Sequence, residues 1–562
     1  MTASISLPPL PRSANLRKTW ATPAGSSFAL LLCETARAHE GVVVAVTRDT
    51  HGARALEDEL AAFAGDLPVL HFPDWETLPY DLFGPHPDIV SQRIATLYRL
   101  PSVRRGVLVV PVATLMQRLA PRTHIAGSGL SIARGQRFDL ADEQRRLEAC
   151  GYRNVPQVNE PGDFAVRGAL IDIFPMGTRE PYRIELLDDE IDSIRSFDPE
   201  TQRSLQQVDA VELLPAREFP LTDEATKTFR ERLRERFPID VRRCALYQDM
   251  KAGVTPAGVE YYLPLFFENT ETLFDYLHEG ALFVVGEGAL ESSEHFWAQV
   301  DERHDQRAHD VERPILPPME LYLPPQGLRE QLNQVLRIDL DSNDPRAADT
   351  GMRIAPDLRG DHRHATFAQK LREYRDANPE QRVLIAADSA GRREALLDQL
   401  AASELRPEVI TNWQAFVRPE TEFAITIAPL ERGFVLEQSH IALFTERELI
   451  GERARSDRRR RISERDPEAI VRDLSELAIG APIVHVDHGV GRYLGLITLD
   501  AGGSPGEFLA IEYAKGDKLY VPVAQLSLVS RYSGTAPELA PLHSLGGDAW
   551  ERAKRKAAEK VR

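Results

Sequence analysis

The sequence predicts a multidomain α/β protein, with a large α/β domain carrying an α+β insert, a second small α/β domain, and a small twisted β-barrel towards the C-terminal end. Three observations predict it. Strand-like apolar runs alternate with helical periodicity through residues 26–125, and mixed α/β patterning returns in 213–335 and again in 364–451. Residues 126–212 change character, with short strands around 169–174 and 182–187. From Ile479 to Tyr532, short apolar-polar alternations are cut by His-Gly, Gly-Gly and Lys-Gly-Asp turns. A chain of 562 residues exceeds one core, so about three to five domains are expected.

In the first segment, 1–125, Ser27-Phe28-Ala29-Leu30-Leu31-Leu32 opens a helix and residues 41–46 read as a buried strand. Helical periodicity follows from Ala53 to Phe63 and from Ile89 to Leu100, with strands at 69–71 and 106–110; this alternation predicts a parallel sheet. The insert, 126–212, reads as a separate α+β unit, and 213–337 resumes the first domain, closing on a Pro-rich run at 315–326. Residues 338–363 are polar and rich in Gly, Asp and Arg, which predicts a linker. In 364–451, strands at 383–387 and 423–427 flank a helix from Gly391 to Leu405. A basic linker (452–475), the β module (476–545) and a helix start (546–562, with Asp548 as N-cap) complete the order.

Composition narrows the function. A net charge of −18 argues against bulk electrostatic binding of nucleic acid. The densest basic run, Glu452 to Arg461, reads either as a solvated linker or as a local DNA or RNA contact. No stretch approaches the ~20 apolar residues of a membrane span, and the first residues lack the pattern of a secretion signal. Cys33, Cys150 and Cys244 lie far apart in apolar or helical settings, as expected of buried thiols in the cytoplasm. His485, Asp487 and His488 lack companions at metal-ligand spacing, and His362 and His364 stand in or beside the polar linker. No carboxylate pair sits in a recognisable acid/base setting, and neither a G-x-x-x-x-G-K-[ST] loop nor a D-E-x-H box occurs.

Asp74-Trp75-Glu76-Thr77-Leu78-Pro79-Tyr80-Asp81 alone reads as packing or as a binding rim. Together with Phe83, Pro85, His86, Asp88 and Arg93 it resembles the first domain of the excision-repair helicase UvrB and of the bacterial transcription-repair coupling factors. A second block, Asp163 to Pro175 continuing through Arg183–Ile191 to Phe197-Asp198, resembles the domain with which these proteins bind UvrA. A third, His485 to Tyr532, is similar to the RNA-polymerase-interacting domain that the coupling factors share with CarD-type regulators, a Tudor/SH3-like barrel. The order is that of the coupling factors, and the resemblance covers nearly the whole chain. It implies a UvrB-like fold followed by an RNA-polymerase module. Where a UvrB-type ATPase has its phosphate loop, this chain has Thr22-Pro23-Ala24-Gly25-Ser26-Ser27-Phe28, without the lysine that neutralises β/γ-phosphate charge. The resemblance therefore implies that ATP, Mg²⁺ and most DNA contact belong to motor domains beyond Arg562, and that this stretch needs no cofactor and is catalytically silent. The rival readings are a UvrB-like ATP-dependent repair helicase fragment and a CarD-like transcription regulator.

The resemblance places UvrA recognition on Arg167 and Arg183, whose guanidinium forks suit carboxylates across an interface. The alternative is an internal salt bridge to Asp172, Glu185 or Asp189. Leu187 follows Arg183 at strand spacing and adds an apolar anchor, although the family often has an aromatic there. For the β subunit of RNA polymerase, the candidates lie on the strand from Arg492 through Leu496 to Leu499, where an exposed edge pairs with another sheet. Leu499, the last apolar residue before the Asp500-Ala501-Gly502-Gly503 turn, is read either as the anchor or as a barrel-core leucine.

Overall fold

The computed structural model describes residues 7–451, apart from 15, 128, 238–239, 361–365 and 419, together with 482–485, 489–500, 505–514, 517–522 and 529–531. The chain divides into two compact units, Met1–Arg453 and Ala454–Arg562.

The first unit is built on a six-stranded sheet in the order Lys18–Trp20, Leu336–Leu340, Leu282–Val285, Val42–Thr47, Gly106–Pro111, Val69–His71. Every pairing is parallel. Val42–Thr47 (VVVAVT) and Gly106–Pro111 (GVLVVP) are buried along their whole length, as β-branched runs covered on both faces must be. On one face Val43, Ala45, Val107 and Val109 pack with the helices Ser27–Ala38 and Thr50–Ala64. On the other, Val44, Leu108 and Phe283 pack with Leu97 of the helix Pro87–Arg99. The helices expected over Ala53–Phe63 and Ile89–Leu100 begin three and two residues earlier, at Thr50 and Pro87; Asp49 accepts the Gly52 N–H at 2.7 Å as the N-cap of the first.

The insert forms a second six-stranded sheet, ordered Ser204–Val208, Glu190–Phe197, Tyr182–Leu187, Leu170–Ile173, Asp163–Arg167, Arg153–Asn154. One face carries Phe164, Ile171, Ile173, Ile184 and Ile194, which pack with Val90 and Ile94 of the helix Pro87–Arg99. Gly177, at φ +81°, lets the insert approach that helix: a Cβ there would lie 2.9 Å from Ala95 Cβ.

The third sheet runs Met352–Ile354, Phe434–Leu436, Ile441–Thr445, Arg382–Ala387, Phe423–Ile427, Glu408–Val409. The helix expected over 391–405 spans Ala390–Ala401, capped by Ser389. The expected linker 338–363 instead contributes to two sheets, through the end of Leu336–Leu340 and through Met352–Ile354. Met352, Ala355 and Leu358 are buried, while its polar residues bond locally, Arg353 to Asp349 and Glu437. Polar composition there marks a sheet-edge path.

In the second unit, strands Lys518–Pro522, Pro505–Glu512, Gly489–Asp500, Pro482–His485 and Val529–Arg531 form one antiparallel sheet in that order. Tyr493, Leu509, Ile511 and Tyr513 are buried. The described residues show this sheet and no closure into a barrel. The basic run 452–461, the linker 452–475, the helix start 546–562, His362, His364, Asp487 and His488 lie outside the described residues. Among the described residues, no helix is long and apolar enough to cross a membrane.

Candidate interaction surfaces

The insert sheet brings Arg167, Arg183 and Leu187 onto one face, opposite the face that packs on Val90 and Ile94; part of the arginine-bearing face is itself covered, where Ala165, Phe174 and Phe197 are buried with Val158. Directly paired residues of antiparallel strands share a face, and the register runs Ala165, Asp172, Arg183, Arg195 across four strands, with Gln207 on the fifth. The row two residues along is Arg167, Leu170, Glu185, Ser193. Leu187 continues the alternation from Arg183 and Glu185 and is 69% exposed, an unusual state for a leucine at a strand end.

Arg183 realises the internal alternative. Its Nε and Nη2 donate to the two Asp172 carboxylate oxygens at 2.7 and 2.9 Å, its Nη1 donates to the Gln202 carbonyl at 3.4 Å, and its guanidinium lies 4.9 Å from the Phe197 ring centre. The Asp172 hydrogen bonds hold its pKa above the ordinary arginine value, against the opposing effect of partial burial. The other two carboxylates named as alternatives are engaged elsewhere: Glu185 accepts from Ser193 at 2.7 Å, and Asp189 pairs with Arg137. Arg167 is exposed at the end of its strand and donates to the Pro156 carbonyl at 2.7 Å. Arg195, exposed in the same row as Arg183, was not singled out from sequence; a register shift between Ile191 and Ser193 breaks the alternation along Glu190–Phe197 that would have flagged it.

At the place of the phosphate loop, the N-terminus of the helix Ser27–Ala38 is covered by protein. Ser26 N–H donates to the Arg432 carbonyl at 3.0 Å, and Arg432 N–H donates to Ser26 Oγ at 3.1 Å. Ser26 Oγ donates to the Glu59 carboxylate, which also accepts the Glu431 N–H at 3.1 Å. Gly25 sits at φ +57° with the Arg432 and Gly433 carbonyls 2.9 Å from where a Cβ would be. Ser26 and Ser27 are fully buried. Beside them, Glu287 accepts from Thr22 and Ser342. Helix N-termini attract phosphate; here backbone of the neighbouring α/β domain fills the space, and the side chains bonded to Thr22 and Ser26 are the carboxylates of Glu287 and Glu59.

In the β module, the strand Gly489–Asp500 is twelve residues long, but Pro482–His485 covers only its first four. From Arg492 onward it pairs with Pro505–Glu512 on one side. On the other, Leu494 to Asp500 has no strand neighbour among the described residues. A bulge between Tyr493 and Gly495 marks where the covered part ends. Arg492 is half-buried and opposite Glu512, while Leu496 and Leu499 fall in register with Leu509 and Gly506 on this segment.

Three family descriptions match these parts: "UvrB interaction domain" over residues 130–219, "MFD, D3 domain" over 377–449, and "CarD-like/TRCF RID domain" over 477–533. Similar proteins along nearly the whole chain are the transcription-repair-coupling factors of Escherichia coli K12 (43% identical, 98% of this chain, 48% of the relative) and Haemophilus influenzae (40%, 99% and 49%). The factor of Bacillus subtilis is 27% identical over 96% of this chain and 47% of its own. Two modules matched by the UvrB-interaction and CarD-like/RID descriptions, carried on α/β domains, define the class as a multidomain chain of UvrB-like and CarD-like parts. The chain belongs to the transcription-repair-coupling factor family, and it spans about half the length of the curated relatives it matches.

Proposed function

We propose that this chain is the adaptor portion of a factor that couples nucleotide excision repair to transcription. The β module holds stalled RNA polymerase by adding the strand segment Leu494 to Asp500 to a sheet of the β subunit, with Arg492, Leu496 and Leu499 as contact residues. The module's fold is read as a Tudor/SH3-like barrel, of which the described strands form the sheet. The insert recruits UvrA through the face bearing Arg167, Arg183 and Leu187. The whole factor is a cytoplasmic ATP-dependent DNA translocase that displaces the polymerase, with ATP and Mg²⁺ held by domains beyond this sequence. The observation that carries the adaptor reading is the pairing of two matched interaction modules with a phosphate position filled by Arg432, Glu59 and the 431–433 backbone. The same filling disfavours the UvrB-like helicase reading, and the UvrB-type first unit disfavours a stand-alone CarD-like regulator.

Two measurements test it. The chain should co-purify with RNA polymerase and, separately, with UvrA; failure with both overturns the reading. ATP–Mg²⁺ at millimolar concentration should leave its melting temperature unchanged and show no turnover. A bound ligand at a hundred times its Kd would stabilise the fold by about 2.7 kcal/mol, so a shift of several degrees would restore the helicase reading.

A further inference from the structure

The insert face contains a placement that stability alone does not favour. Arg183 and Arg195 are directly opposed on neighbouring strands, and like charges directly opposite destabilise a sheet. Arg183 is neutralised from its other side by Asp172, which lies directly across the next strand and is itself buried. Arg195 has no such partner: among the described residues its side chain forms no ion pair or hydrogen bond, and its cross-strand neighbour on the outer side is the uncharged Gln207. The row thus holds one arginine spent on internal cohesion and one exposed guanidinium kept against local repulsion. Local rules broken without compensation inside the fold mark functional positions.

We propose that Arg195 is the specificity-determining cation of this face, reading a carboxylate on the partner protein, while the Asp172–Arg183 pair is a positioning device that fixes the neighbouring strand beneath it. A guanidinium fork presented on a rigid strand suits bidentate pairing with a carboxylate. Arg167, on the same face one row away, supplies a second positive charge at the hairpin end. The inference rests on the reading that the insert binds UvrA, and assigns to that contact an acidic partner surface.

The test is a titration of UvrA with the wild-type chain and with Arg195→Gln, Arg195→Glu and Arg183→Gln, alongside melting curves for each. Arg195→Gln should weaken binding about tenfold and Arg195→Glu further, with a shallower salt dependence for both. Their melting temperatures should equal or exceed that of the wild type, because a repulsion has been removed. Arg183→Gln should lower the melting temperature, since it leaves Asp172 buried without its cation. If the wild type does not bind UvrA, the adaptor reading of the insert fails and the inference falls with it. If the wild type binds and both Arg195 variants bind equally well, the assignment of Arg195 alone is overturned. Loss of binding accompanied by a drop in melting temperature for Arg195→Gln also overturns it, by making the residue structural.

Discussion

Arg93→Ala should destabilise the Met1–Arg453 unit by about 3–5 kcal/mol, the usual cost of breaking a buried ion pair on one side. The Arg93 side chain is fully buried, and that of Glu218 is 3% exposed. Nε and Nη2 donate to the two Glu218 oxygens at 2.6 and 3.3 Å, and Nη1 donates to the Pro73 carbonyl at 2.8 Å. The guanidinium also lies over Phe72 and Trp75, at 4.3 and 5.1 Å from their ring centres. Alanine removes all of these contacts at once and leaves Glu218 with only a long bond from Trp75 Nε1, at 3.5 Å. Pairing Arg93→Met with Glu218→Leu should recover much of the loss, because the stranded charge goes too. Urea unfolding of the three variants checks both statements. A single variant within 1 kcal/mol of the wild type would contradict the first, and a double variant no better than the single would contradict the second.

The same residues decide how the motif from Asp74 to Arg93 is used. The sequence left packing and a binding rim open, and the structure makes most of the motif packing. Trp75 and Tyr80 are buried, Tyr80 donates to the Leu316 carbonyl at 2.9 Å, and Arg303 and Arg307 bond the Pro79 and Tyr80 carbonyls. These bonds join the first segment to the portion that resumes after the insert. Leu78 and Phe83, 48% and 63% exposed, are the motif's exposed apolar residues.

What could be read from sequence was local. A continuous β-branched run such as VVVAVT announces a doubly covered strand, and the periodicity from Ala53 to Phe63 announces the body of the helix Thr50–Ala64. What could not be read depends on residues distant along the chain. Arg432 over Ser26 joins positions 406 apart. The meeting of Arg183 with Asp172 and Arg195 is set by register, which a one-residue slip would reverse. The linker expectation for 338–363 failed because polarity was taken for disengagement, whereas a sheet edge accommodates polar side chains on its open side.

Leu499→Arg should abolish polymerase capture while the β module stays folded. In the proposed contact, Leu494 to Asp500, which has no strand neighbour among the described residues, offers main-chain donors and acceptors to an added strand, and such pairing gains selectivity from the side chains at alternate positions. A leucine buried in that contact is worth ~1.5–3 kcal/mol. An arginine there loses this and must also be desolvated against the partner. The sum is about a hundredfold or more in affinity. The competing account, in which Leu499 belongs to the module's own core, predicts a different result: the charge would unfold the sheet whose buried residues include Leu509 and Ile511. Circular dichroism and thermal melting of the variant separate the two, because the anchor reading requires wild-type melting together with lost capture. Leu499→Ala should fall between, weakening capture without a change in fold. Undiminished binding by Leu499→Arg would remove this residue from the contact and leave the strand edge alone to account for it.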